Sequence, residues 1–518
     1  MKRILVVLLS LGWLGAGAME INVMKYKPKP DGKSYCTKAL QQAIDDCSAA
    51  GGGTVIVPDG VYLTGAIWIR DNVELRLSKR ARLLGSTRSS EEAGDYPKGT
   101  TALVNFDGVK NAALTGFGTV DGQGGDPVFD LGDNAEFKGK GRRFNNVRVM
   151  KSKDIRIEDV TLTAPGTWTL RLLQSEDIQV RGVKIYSFSN HNNDGIDIDA
   201  CNVVISDCII YSEDDALCFK SDSRARKYIV ENVVVTNCIL ATNCNAIKFG
   251  TSGWAGFRNI AITNCAIRRA PTHNVKDRTN FTGITNPASC EMGIALEMVD
   301  GGMMENITIS NIVMRGVMTP IFIRLGARNG EVRHLKNVLI SQVTAESEGF
   351  MSSSITGVPG HRVSGVTLRD IVIRSMGKGT TTHALKVMPE KEAGYPQNNM
   401  FGYTTPSHGL YIRHAENITM ENIQLFTQEP DKRPAIIMDD VENVWLNNFQ
   451  GEKPAEKMPM VRIVDGRRIR ISGFRQQTGA PALFLEATGD SSSILLRDNE
   501  LEGVKQVVRA PEGAVKQL

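Results

Sequence analysis

One nine-residue phrase returns along this chain and decides what it can fold into. It reads Asn/Asp, aliphatic, any, aliphatic, then a short polar step and more aliphatics. Copies are DIRIEDVTL from Asp154, DIQVRGVKI from Asp177, NVVISDCII from Asn202 and NVVVTNCIL from Asn232. NIAITNCAI from Asn259, NITISNIVM from Asn306, NVLISQVTA from Asn337, NITMENIQL from Asn417 and NVWLNNFQG from Asn443 follow. Successive starts are 23, 25, 30 and 27 residues apart, then 47 and 31. The alternation within each copy has period 2, the signature of a strand. Such a repeat leaves room for three short strands and three turns, and no helix pattern intervenes. One coil of this kind cannot bury its own apolar side, whereas stacked coils share a continuous core. The chain is therefore expected to be all-β, a single-stranded right-handed parallel β-helix of roughly ten or more rungs, with Asn and aliphatic ladders inside. An antiparallel sandwich would need Asn-Gly-type hairpin turns, which are scarce.

The spacing predicts one long domain over 19–518. Lys38 to Cys47 has helical spacing of Leu40, Ile44 and Cys47 and is expected to form a short N-terminal helix capping the open end of the core. The wide spacings mark insertions near 268–290 and 377–408. Long loops on a rigid solenoid often rim a functional cleft.

A second phrase sets the faces. NDGIDID (193–199), DDALCFK (214–220), NAIKFG (245–250), MGIALE (292–297) and TPIFIR (319–324) align without gaps. Period 2 sends Ile196, Leu217, Ile247, Ile294 and Ile321 inward, with Ile198, Phe219, Phe249, Leu296 and Ile323. All ten are apolar. Outward fall Asp197, Cys218, Lys248, Ala295 and Phe322, then Asp199, Lys220, Gly250, Glu297 and Arg324. Just before the strand, one column holds Asp194, Asp215, Asn245, Met292 and Thr319, with Trp168 one rung earlier.

This register stacks Asp194 on Asp215, about one strand spacing of ~4.8 Å apart, with Asp214 beside them. Clustered like charges raise at least one pKa unless offset. Three carboxylates near Lys220 and Lys248 suit acid/base chemistry, although turn-forming Asp residues also occur in such coils. Glycosidic hydrolysis fits the cluster: one carboxyl donates to the leaving oxygen and a carboxylate activates water. Trp168 offers a flat face for a sugar ring.

Composition narrows the partners. The 518 residues carry 61 Lys+Arg against 57 Asp+Glu, a net charge of +4, so no polyanion and no nucleic acid is implied. Lys2 and Arg3, the apolar run Ile4 to Leu14 and Ala16-Gly17-Ala18 read as a signal peptide over 1–18, cleaved after Ala18, and the mature chain is expected to be secreted or periplasmic. No later run is long enough to span a membrane. The nine cysteines include no C-x-x-C pair, so no metal site and no cofactor is expected. Cys208, Cys238 and Cys265 each end a repeat phrase and are read as stacked core residues. Cys36 and Cys47 are placed to form one disulfide in an oxidising compartment. Oligomeric state is not legible.

At these residues the sequence resembles glycoside hydrolase family 28, the polygalacturonases and their relatives. The resemblance runs through GGGTVIVPDGVYLTGAIWIRDNVELRL (51–77), ARLLGS (81–86), APGTWTLRLLQSEDIQVRGVKI (164–185), NNDGIDIDACNVVISDC (192–208) and SEDDALCFKS (212–221). It implies a right-handed parallel β-helix and an inverting hydrolase acting on galacturonate-containing polymers. The family's Asn-Thr-Asp phrase falls on Asn192-Asn193-Asp194 and its Asp-Asp pair on Asp214-Asp215. The resemblance thus implies Asp214 as general acid, with Asp194 and Asp215 activating water.

Two departures stand out. The family's Gly-His-Gly falls on Cys244-Asn245-Ala246, so the histidine is Asn245. Its Arg-Ile-Lys, which grips the substrate carboxylate, falls on Ala295-Leu296-Glu297, and a Glu there would repel a uronate. Lys220, Lys248 and Arg324 share the face and are expected to bind substrate, together with Trp168, Asn193, Asn245 and Glu297. Hydrolysis of pectic or related plant poly- or oligosaccharides is the expected function of this divergent subgroup, with a shifted sugar preference. A polysaccharide lyase using calcium and Lys248, or a non-catalytic glycan-binding β-helix, are the alternatives. Tyr403, His408, Tyr411, Arg413 and His414, on and before a late rung, are candidates for a distal subsite.

Overall fold

The computed structural model describes residues 19–90, 93–129, 142–270, 290–477 and 479–518. The signal-peptide reading of 1–18 and most of the first insertion lie outside the described residues. Within them, the pairings between successive strands are parallel from Met19↔Gly53 at one end to Leu496↔Gln517 at the other. The chain is a right-handed parallel β-helix, and the sandwich alternative is excluded.

The faces fall as the alternation predicts. Six strands matter for function: β1 (Leu170–Arg181), β2 (Ile196–Ser206), β3 (Leu217–Ser221), β4 (Asn245–Gly253), β5 (Cys290–Met298) and β6 (Met303–Leu325). Leu170, Ile196, Leu217, Ile247, Ile294 and Ile321 pair in sequence as one inward ladder. Ile198, Phe219, Phe249, Leu296 and Ile323 form the next, and all are buried. Phe219 and Phe249 stack with ring centroids 4.2 Å apart, close to the rung spacing.

The repeat's Asn residues do not lie inside the coil. Asn202, Asn232, Asn259 and Asn306 sit at exposed corners with φ of 54–58°. Their amides hydrogen-bond along the axis, Asn306 Nδ2 to Asn259 Oδ1 at 3.1 Å and Asn232 Nδ2 to Asn202 Oδ1 at 3.0 Å. Asn tolerates the left-handed region better than most residues, and its side chain both donates and accepts. The ladder therefore belongs to the turns, and the core is aliphatic.

Helix α1 (Thr37–Ala49) buries Leu40, Ala43, Ile44 and Cys47 against the first strands and closes that end of the core. It also overturns the Cys36–Cys47 disulfide. Cys36 precedes the first turn and Cys47 lies in the last, so the intervening helix spans ~16 Å. A disulfide needs Cα atoms within ~7 Å. Both thiols are buried and free. Cys208, Cys238 and Cys265 are buried as expected, and the residues after them pair Ile209↔Ile239↔Ala266. Among the described residues, no helix is long and apolar enough to cross a membrane.

The second insertion folds back onto the outward face. It carries one helical turn at Thr381–Ala384 and a 3-10 turn at Asn398–Phe401. Its Met388 and Phe401 pack with Met292, Ala295, Phe322, Tyr411 and Ile437 in an apolar cluster separate from the core.

Candidate active site

Asp194 enters β2 and Asp215 enters β3. The chain is tight here: Gly195 N–H donates to the Asp215 carbonyl at 2.8 Å. A Cβ on Gly195 would stand 2.5 Å from the Ala216 carbonyl, so glycine is required for the two rungs to approach. Carboxylate oxygens of Asp194 and Asp215 lie within 4.8 Å of one another, as do those of Asp214 and Asp215. Asp194 and Asp215 are buried, whereas Asp214 is half-buried. The Asp214 carboxylate accepts the Asp215 N–H at 2.9 Å.

The three aspartates and their neighbours sit in different electrostatic surroundings. Burial pushes Asp215 up, but Lys248 and Lys220 outweigh it and hold its pKa at about 2. Lys248 Nζ lies 3.3 Å from Asp215 Oδ2, and Asn245 Nδ2 donates to Asp215 Oδ1 at 2.7 Å. Asp194 is driven the other way, by burial and then by the charges of Asp197 and Asp214. Lys220 bridges Asp194 Oδ2 at 3.4 Å and Asp197 Oδ1 at 3.3 Å, yet burial still raises Asp197 to about 6. Asp199 rises to about 7, through burial and then the adjacent Asp222. One carboxylate is thus fixed as an anion beside others that hold protons more tightly.

The expected substrate contacts divide. Trp168 stands half-buried one rung before Asp194, with Lys220 Nζ 5.0 Å and Arg171 Cζ 4.6 Å from its ring centroid. Asn193 is fully buried, and neither polar atom of its amide has a partner. Lys220, Lys248 and Asn245 are engaged with the carboxylates. Glu297 is completely buried between Lys248, Arg328 and Asp215, and burial raises its pKa to about 8. Burial thus favours its protonated, neutral form and weakens the repulsion expected from sequence.

Arg324 is not a substrate cation. Its guanidinium is buried and donates to the carbonyls of Gly357 at 2.8 Å, Glu390 at 3.1 Å and Lys391 at 3.1 Å. It anchors the second insertion. Tyr411, Arg413 and His414 of the expected distal subsite contact the same insertion. Tyr411 packs in the outer apolar cluster and donates to Asp439 at 3.0 Å. Arg413 Nη1 donates to the Met388 carbonyl at 2.8 Å, and His414 lies between Asp440 and Glu390. His408 is buried with neither ring nitrogen partnered, and burial lowers its pKa to about 4.

Sequence reasoning missed Tyr395, which the insertion brings over the site. Lys248 Nζ and Arg328 Cζ each lie 5.8 Å from its ring centroid. Arg328 is held by both oxygens of Asp300, at 2.8 and 2.6 Å. No periodic signal marks such a loop residue. Its only cue was an aromatic in a long insertion.

Comparison with known proteins agrees with this architecture. Residues 47–274 match the model of glycosyl hydrolases family 28. The chain is 25% identical over 309 residues to an exo-poly-alpha-D-galacturonosidase of Dickeya chrysanthemi, covering 48% of this chain and 50% of that protein. It is 33% identical over 211 residues to a probable polygalacturonase of Vitis vinifera, covering 37% and 42%. The chain thus spans about half the length, or less, of these curated relatives. An exopolygalacturonase from Thermotoga maritima superposes with a TM-score of 0.58 at 20% identity, over 78% of this chain and 91% of that one. A polygalacturonase from Erwinia carotovora ssp. carotovora gives 0.54 at 18% identity, over 66% and 90%. At these identities the likeness of the solved structures is one of fold.

Proposed function

We propose, from the match of residues 47–274 to glycosyl hydrolases family 28, that the chain belongs to that family and hydrolyses glycosidic bonds in pectic or related plant polysaccharides and oligosaccharides. The observation that carries this reading is the trio Asp194, Asp214 and Asp215. Their carboxylates are gathered across two rungs, and Lys248 keeps one of them ionised. Half-buried Asp214 reaches the glycosidic oxygen and gives it a proton as the bond to the anomeric carbon breaks. Asp215, with Asp194 once that has lost its proton, takes a proton from a water attacking the opposite face. Bond and proton counts balance, and the anomeric configuration inverts. Trp168 supplies a stacking face for a sugar ring. Residues 19–518 form the catalytic unit in this reading, and the segment 1–18 directs export to the periplasm or outside the cell.

The test is product analysis by mass spectrometry on a panel of pectic and neutral plant oligosaccharides, beside Asp214→Asn. Products that gain one water, with a rate lowered about 10²–10⁴-fold in the variant, are expected. Proton NMR of the nascent product reads the inversion. Unsaturated, ultraviolet-absorbing products would move the chain to the lyases. Binding without turnover on every substrate would leave a glycan-binding protein.

A further inference from the structure

We propose that the segment 377–408 is a fixed end wall of the cleft, so that the site takes the end of a glycan chain rather than its middle. This rests on the reading of the site as glycan-cleaving, and deepens it.

A glycan lying along the outward face follows the column Asp197, Cys218, Lys248, Ala295, Phe322. Every side chain of that column is buried and forms only the floor, so what stands over each rung decides where a ligand can lie. Ala295 and Phe322 are already buried, together with Met292, beneath Met388 and Phe401 of the insertion. Tyr395 reaches one rung further back, over Lys248. From the aspartates to covered Ala295 is two rungs, ~10 Å along the axis, which holds about one or two sugar rings. Trp168 and Arg171, on the other side of the aspartates, are half-buried.

The wall is built to stay in place. Arg324 holds it by two carbonyls from below. Asn398 Nδ2 donates to the Glu291 carbonyl at 2.8 Å, and Gln397 bonds the Glu291 carboxylate. Lys386 Nζ ties the segment to itself through the carbonyls of Phe401 at 2.7 Å and Thr404 at 2.6 Å. An apolar cluster plus buried hydrogen bonds to charged groups makes a rigid element, unlike a lid on a hinge.

The experiment uses pectic oligosaccharides of a single length, isotopically labelled at the reducing end. From the earliest time points, one short fragment of constant size and its complement are expected. A spread of fragments from internal cuts overturns the proposal. A second measurement works without turnover. Asp214→Asn is titrated calorimetrically with the same oligosaccharides carrying a bulky group on one end, then on the other. Blocking one particular end should weaken binding at least roughly tenfold. Equal affinity for free and both blocked forms overturns the wall. If no oligosaccharide is hydrolysed, the catalytic reading fails while this binding comparison still decides. Tyr395→Ala with Phe401→Ala should admit the blocked end, and internal fragments should appear.

Discussion

Lys248 Nζ and Asp215 Oδ2 stand 3.3 Å apart with both side chains almost entirely out of water. Neither charge is tolerable there alone, because the desolvation of a buried ion costs several kcal/mol. The pair therefore keeps Asp215 ionised inside a crowd of acids.

Lys248→Met should destabilise the protein by about 3–5 kcal/mol at neutral pH, since it strands the Asp215 anion. Adding Asp215→Asn should recover much of that loss, which a double-mutant cycle by chemical denaturation reads. Asp215 has its pKa depressed from 3.8 to about 2, so its contribution is present above the unfolded value and lost as pH falls through the folded one. A single variant costing less than 1 kcal/mol would refute the pairing.

Glu297 titrates in the opposite sense. Its pKa is raised from 4.5 to about 8, so the folded state holds a proton that the unfolded chain releases. Its stabilising contribution is full below about 4.5 and is lost as pH rises to about 8. Glu297→Gln keeps the neutral shape and removes the titration. The variant should gain thermal stability relative to the parent as pH rises from 5 to 8, with a relative change of order a few kcal/mol. Parallel melting curves across that range would count against a buried neutral acid.

All nine thiols should react when the protein is denatured without reductant, because the nine cysteines are free. Quantitative thiol labelling checks this. The melting temperature should not move on adding reductant. Two fewer reactive thiols, mapped by peptide analysis to Cys36 and Cys47, would restore that bridge and require α1 to be rebuilt.

Asn259→Ala tests the corner ladder. Asn259 sits at φ 55° and accepts a 3.1 Å hydrogen bond from Asn306. Alanine loses that bond and meets a left-handed penalty of ~1–2 kcal/mol. Asn259→Gly should be milder, since glycine takes the conformation freely. An alanine variant as stable as the parent would show the ladder to be decoration.

Much of this molecule was legible in its sequence because period 2 is a hard constraint. Five short phrases placed ten inward residues, and the strand pairing follows them residue for residue. The stacking of Asp194 on Asp215 came from the same alignment. What failed depends on direction or on distance along the chain. A recurring Asn in a solenoid reads as core; its left-handed backbone puts it at the corner. The column alone makes Arg324 a ligand cation, and nothing local announces the carbonyls of 390 and 391. Glu297 was read as an anion, which holds in water and fails under complete burial. Tyr395 reaches the site through a loop without periodicity.

The Asn corners have one more consequence. The second insertion rejoins the coil at the turn that leads into the site-face strand starting at Leu410. On another side of the coil the Asn corners stay linked from rung to rung, Asn337 Nδ2 to Asn306 Oδ1 and Asn443 Nδ2 to Asn417 Oδ1, although the rungs differ in length. The corners thereby hold the pitch while the rungs vary in length. A loop can be lengthened, shortened or exchanged on the site edge while the aspartates keep their rung. Such a chain can be regrafted for another ligand by editing one seam, without refolding the spool on which it is wound.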